Sequence, residues 1–180
     1  MRPPPVTAAF LAIVLVTRLA QLVIPGWYGG LARDPAAPWW RMFTALFAYD
    51  DGWVQFVSIA VGAIVLGWIA ERRFGSVVWA IILIVAGLAG QASGLWWQPA
   101  GAGSSVAVAG WLGAVGIWLL VPSARLAPQA RLGGVIIVVL GVALVAGRDL
   151  HGPPILVGLV LGGLFLITGR RGNEPAQRQG

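Results

Sequence analysis

The chain has 180 residues, 58% of them hydrophobic and only 10% charged, and its mean hydropathy is +0.85. A water-soluble domain of that length has too little interior to hide so much apolar surface, so the bilayer is the solvent. Cysteine and lysine are both absent, which excludes disulfides, thiolate metal sites, a cysteine nucleophile and a Ser–Lys dyad. The net charge of +6 rests on arginines scattered between apolar runs, and no basic stripe or RNA-binding motif accompanies it, so no nucleic-acid partner is expected.

Residues 1–5 are short and basic, and residues 6–24 form the first apolar run, interrupted by Thr17, Arg18 and Gln21. The run is longer than the apolar core of a secretory signal and lacks a small-residue cleavage site. The aromatics of Pro25-Gly26-Trp27-Tyr28 suit a membrane interface, so this is a retained first membrane helix. Arg18, toward its outer end, is expected to snorkel to the headgroups, with a buried arginine as the alternative. Residues 26–52 make a long loop holding Arg33, Asp34, Trp39, Trp40, Arg41, Asp50 and Asp51, and its tryptophans predict a segment lying in the interface. Further runs follow at 54–70, ended by Glu71-Arg72-Arg73; at 77–94, ended by Trp96-Trp97-Gln98-Pro99; and at 105–121, stopped by Pro122. A basic turn is expected over 125–131, then runs at 132–147 and 153–168 on either side of Arg148-Asp149-Leu150-His151. The prolines of the last run fall in its first turn, where a missing N–H costs nothing. The expected organisation is an all-α membrane domain over 1–169 with six transmembrane helices, and a disordered tail over 170–180.

Six spans put both termini on one side. That side collects Arg2, Arg72, Arg73, Arg125, Arg131, Arg170, Arg171 and Arg178, against Arg33, Arg41 and Arg148 on the other, which makes the termini cytoplasmic. The expected location is the plasma membrane, with the lipid bilayer as the first partner.

This topology gives meaning to the stretch from Gly101 to Gly116, where a glycine-rich loop becomes an apolar helix at Ser104 and Ser105. A serine there caps the helix, or serves as a nucleophile beside N–H groups that have no internal acceptor. The fourth helix starts on the outer side at Ser105. The fifth returns outward and delivers His151, the only histidine, to the outer start of the sixth. Gly110 and Gly113 on the fourth helix, with Gly158 and Gly162 on the sixth, permit close backbone approach. Other hydrolytic designs lack their parts: there is no HExxH, no second histidine for a metal and no Gly-x-Gly-Asp beside Tyr49-Asp50. No cofactor or metal is expected. An ion path needs ionisable groups within the spans, and Arg18 is the sole candidate.

Trp40-Arg41 with Thr44 and Phe47, Gly67-x-x-x-Glu71-x-x-x-Gly75, Gly103-Ser104-Ser105 with Gly110 and Gly113, and His151 with Gly158 occur in that order. Across residues 25–169 the chain resembles the rhomboid family of intramembrane serine proteases. The resemblance implies Ser105 as nucleophile and His151 as general base and then acid, acting on a membrane-protein substrate helix at its outer end. The oxyanion would be held by the Ser105 N–H and Gln55, supported by Gly103 and Ser104. Trp40 and Arg41 would be loop scaffold and Glu71 an anchor for the inner end of the second helix. No third carboxylate is implied, and Asp149 is expected to pair with Arg148 or face water. Three positions depart from the family's pattern: Val106 where a glycine is usual, and Gln55 and Ile59 where a histidine and an asparagine bind the oxyanion. A second reading therefore stands beside the first, that of a rhomboid-like pseudoprotease that binds membrane helices without cutting them.

Overall fold

The computed structural model describes residues 4–49, 52–121 and 126–171, the side chains as far as 168. Every named element among them is helical. The first helix, α1, spans Pro5–Val23 and opens with proline at its first position, where the ring fits the helix without loss. The expected interfacial loop contains two short helices, α2 (Trp27–Leu31) and α3 (Arg41–Thr44), and a 3₁₀ turn, Ala45–Phe47. Arg41 Nη1 donates to the Gly29 carbonyl at 2.7 Å and Thr44 Oγ1 to the Leu31 carbonyl at 2.8 Å, which ties α3 to α2. The Arg41 guanidinium also lies 5.7 Å from the Trp40 ring.

The next rod, Gly52–Phe74, is α4 (Gly52–Gly62), a π turn (Ala63–Gly67) and α5 (Trp68–Phe74) in one line. It is followed by α6 (Ser76–Trp97), α7 (Ser105–Leu120), α8 (Pro128–Ala146) and α9 (Gly152–Arg171). Four rods, those containing α1, α4, α6 and α8, are long and apolar enough to cross a bilayer; α7 and residues 152–168 of α9 are apolar but shorter. The basic turn expected at 125–131 is shorter than predicted, because Pro128 starts α8 and draws Arg131 into it. Helix α9 continues two residues into the expected tail. Arg2, Asp50, Asp51, Pro122, Arg125 and residues 172–180 lie outside the described residues.

Helix α7 is the centre of the bundle. Nine of its sixteen residues are buried, whereas α8 buries only Gly134 and Gly141 and turns Val139 and Ile136 outward. A central helix needs little greasy length of its own, since neighbours rather than lipid surround it. Helices α7 and α9 run parallel in near backbone contact. A methyl group at Gly113 would fall on the Ile155 carbonyl, one at Gly158 on the Gly110 carbonyl, and one at Gly162 against Ala114. Small residues bring helices together this way where no hydrophobic driving force exists between them.

Two further sets of contacts join α1, α5, α6 and α7. Trp79 and Trp111 stack at 4.4 Å, with Phe10 edge-on to both at 5.7 and 5.3 Å, and the Trp79 indole donates to the Gly67 carbonyl at the π turn. Glu71 accepts from Val6 N (3.0 Å), Thr7 N (2.7 Å), Thr7 Oγ1 (2.6 Å) and Ser76 Oγ (2.7 Å). The first N–H groups of α1 have no internal acceptor, and a carboxylate from α5 supplies one at the positive end of the helix dipole.

Arg18 does not snorkel. It is 8% exposed, with its guanidinium 5.0 Å from the Trp53 ring and beside Gly52. The aromatic face at the start of α4 offers the cation a partner that headgroups would otherwise supply.

Candidate active site

Ser105 is the first residue of α7, and the loop before it is held from three sides. The backbone of Arg33 pairs with that of Gly101 in an isolated antiparallel bridge, with N···O distances of 2.9 and 3.1 Å. The Arg33 side chain, 2% exposed, donates from Nε to the Pro99 carbonyl, from Nη2 to the Gln98 carbonyl and from Nη1 to Gln91 Oε1 on α6. Gln91 Nε2 in turn donates to the Gly103 carbonyl at 3.4 Å, and Gly103 N donates to the Ala45 carbonyl at 2.8 Å. Gly103 has φ +153, a conformation side chains disfavour, and a Cβ there would meet Gln55 Nε2 and Ser105 Oγ. Glycine is required on both counts.

Neither serine caps α7. Ser104 is the N-cap residue, but its hydroxyl makes no cap hydrogen bond; it donates instead to the Leu46 carbonyl and lies 3.4 Å from the Tyr49 hydroxyl. Ser104 is thus fully buried beneath the loop. The Ser105 hydroxyl faces the other way, with Oγ 2.9 Å from His151 Nε2.

His151 is delivered by the turn between α8 and α9. Arg148 N donates to the Val145 carbonyl and Asp149 N to the Leu144 carbonyl, the paired bonds of a Schellman motif, with Arg148 at φ 56 in the left-handed position that glycine usually takes. The chain then turns back on itself: Asp149 Oδ1 accepts both the His151 backbone N–H and His151 Nδ1 at 2.8 Å each. Asp149 thus bonds to His151, where Arg148 was the expected partner, and its side chain remains partly open to water. Burial pushes the Asp149 carboxyl up, but the backbone and ring bonds from His151 outweigh it and hold the carboxyl below its ordinary value.

Ser105 and His151 open onto a polar cavity of about 170 Å³, lined also by Gln55, Gln91, Arg33 and the Gly101–Gly103 backbone, with room for several waters. Gln55 Nε2 donates to the Ala102 carbonyl at 3.2 Å, so its amide sits beside the loop that precedes Ser105. Val106 and Ile59 are buried, Val106 against Gly90 of α6 and Ile59 in the hydrophobic core. Trp40, Arg41 and Glu71 lie away from the cavity, in the contacts described above. A hydroxyl bonded to an imidazole, next to a helix N-terminus with unused N–H groups, is an arrangement suited to acyl transfer. No group of three or more metal-ligating side chains occurs among the described residues.

Three residues at this site escape a reading of the sequence: Arg33, Gln91 and Asp149. Arg33 and Gln91 are 58 positions apart, and nothing local announces their pairing. An aspartate three residues ahead of a helix start is a recognisable side-chain-to-backbone turn signal, so Asp149 was the one within reach.

A family model for the Rhomboid domain matches residues 36–169. No curated protein is a significant match to the sequence.

Proposed function

The chain belongs to the rhomboid family, multi-pass membrane proteins that are in general intramembrane serine proteases, and on that premise we propose that it cleaves membrane-spanning helices of other proteins near their outer ends. The observation that carries this reading is the 2.9 Å approach of Ser105 Oγ to His151 Nε2, inside the range a general base needs. His151 takes the hydroxyl proton as Ser105 attacks the scissile carbonyl. The tetrahedral oxyanion is held by the Ser105 N–H, which as the first helical N–H has no internal partner, and by Gln55 Nε2. His151 then protonates the leaving amine. Water from the polar cavity hydrolyses the acyl-enzyme, with His151 as base again. All six apolar helices span the plasma membrane in this reading, with both termini cytoplasmic and the cavity open to the outer face.

Reaction with a fluorophosphonate probe tests it: the purified protein takes up label and Ser105→Ala takes up none. A second reading has its own observation, since Ile59 lacks a hydrogen-bond donor where the family pattern has an asparagine. One missing oxyanion donor lowers rates by about 10²–10³-fold. Absence of label on the unaltered protein, with a bound membrane helix retained in Ser105→Ala, favours that reading of a non-cleaving helix binder.

A further inference from the structure

In the proposed hydrolysis the proton moves between Ser105 and His151, and the geometry points to a further side chain behind the ring. We propose that Asp149 is a positioning residue for His151, completing a Ser105–His151–Asp149 relay in which the carboxylate selects the ring's tautomer and orientation. This rests on the protease reading for its role in catalysis, but the contact itself does not.

A neutral imidazole has one donor nitrogen and one acceptor nitrogen. An ionised carboxylate only accepts, so Asp149 Oδ1 at 2.8 Å makes Nδ1 the donor. Nε2 is left as the acceptor, facing Ser105 Oγ at 2.9 Å. That is the tautomer a general base requires. The opposite tautomer would present an N–H to the serine and could not remove its proton. When Nε2 takes that proton, the ring carries N–H on both nitrogens, and the Nδ1–H already points at a negative charge.

The backbone is arranged to produce this contact. Arg148 stands at φ 56, in the left-handed region that a residue with a Cβ disfavours. It reverses the chain so that Asp149 is fixed by its own N–H to the Leu144 carbonyl and by its carbonyl to Gly152 N. The His151 N–H bond to the same Oδ1 then locks the carboxylate's direction. A turn-forming aspartate would satisfy the backbone N–H alone; here the ring nitrogen shares the same oxygen. The side chains of His151 and Asp149 are 38% and 37% exposed, so water competes for the contact and the effect is smaller than in a fully buried triad.

The chain has one histidine, so ¹⁵N-histidine labelling in bilayers reports on this ring alone. The unaltered protein is expected to show the Nδ1–H form. Asp149→Ala is expected to lose that preference and lower kcat about 10²-fold with KM within about twofold. Asp149→Asn keeps an acceptor oxygen of the same shape and so protects the turn; it is expected to shift the Nδ1 resonance and lower kcat about 10-fold, between the other two. An unchanged ring spectrum in both variants, with kcat within about twofold, overturns the proposal and leaves Asp149 a turn residue only. If Asp149→Ala fails to fold, Asp149→Asn decides by the same criteria. If the unaltered protein neither hydrolyses substrate nor reacts with fluorophosphonate, the protease reading fails, and the ring spectrum still decides whether Asp149 sets the tautomer.

Discussion

Single side chains around the Ser105–His151 cavity have separable tasks. In the proposed reaction Gln55 and the Ser105 N–H hold the oxyanion, so Gln55→Ala is expected to lower kcat about 10²-fold while KM stays put, read from steady-state cleavage of a membrane-helix substrate. Asp149 gives a pH signature in stability. Its carboxyl lies below the ordinary carboxylate value in the folded state, so the unfolded chain binds its proton at higher pH than the folded one. The Asp149 contribution is therefore complete above about pH 4–5 and drains away as pH falls through the lowered folded value. The difference in unfolding temperature between the unaltered protein and Asp149→Asn is expected to shrink over that acid window; a difference that stays constant or grows there would contradict the assignment. Ser104, by contrast, serves the loop from below. Its hydroxyl goes to Leu46, and a reading of Gly103-Ser104-Ser105 as letters cannot tell which serine faces the cavity.

Between elements, the decisive contact is α7 on α9. Gly113 and Gly158 each face a backbone carbonyl that cannot move aside, so Gly158→Ala is expected to lower stability by about 1–3 kcal/mol and to part Ser105 from His151. Gly133 provides the control: a Cβ there meets only Leu119 at an ordinary 3.8 Å, and Gly133→Ala should leave unfolding and probe labelling unchanged. At the opposite end, Glu71 acts as a cap in trans. Removing it leaves the Val6 and Thr7 N–H groups of α1 without an acceptor, at about 1–3 kcal/mol each. Glu71→Ala is expected to loosen α1 against α5, measured as faster proteolysis or hydrogen exchange of the first turn. That Glu71 anchors the second helix was implied by the family resemblance. That its partners come from α1, more than sixty residues earlier, was not, because only packing sets which helix lies alongside.

For the molecule as a whole, the absence of cysteine makes topology directly measurable. Ala36 and Ala127 are both exposed, and they fall on opposite sides of the proposed six-span arrangement. In intact cells, Ala36→Cys is expected to react with an impermeant maleimide and Ala127→Cys only after permeabilisation. The reverse pattern, or labelling of both from outside, would move the cavity to the wrong face or break the span count. The short α7 makes this worth measuring, since length alone qualifies four rods and leaves two to be carried by their neighbours.

Hydropathy is local and additive, so the chain's own residues were enough to indicate a helical membrane protein and the approximate ends of its apolar runs, and to raise the expectation that Ser105 and His151 meet. Motif order then pointed to the family that residues 36–169 match. Tertiary structure decided what depends on two distant segments meeting at a given angle: Arg18 drawn against Trp53, Arg33 reaching Gln91 to pin the nucleophile loop, and Ser104 turned under that loop while Ser105 faces the cavity. Asp149 belongs to the same class although its partner is two residues away, because the bond exists only once Arg148 adopts a positive φ. Hydrogen bonds are directional and reach about 3 Å; composition fixes which groups are available, and only the folded backbone fixes where they point.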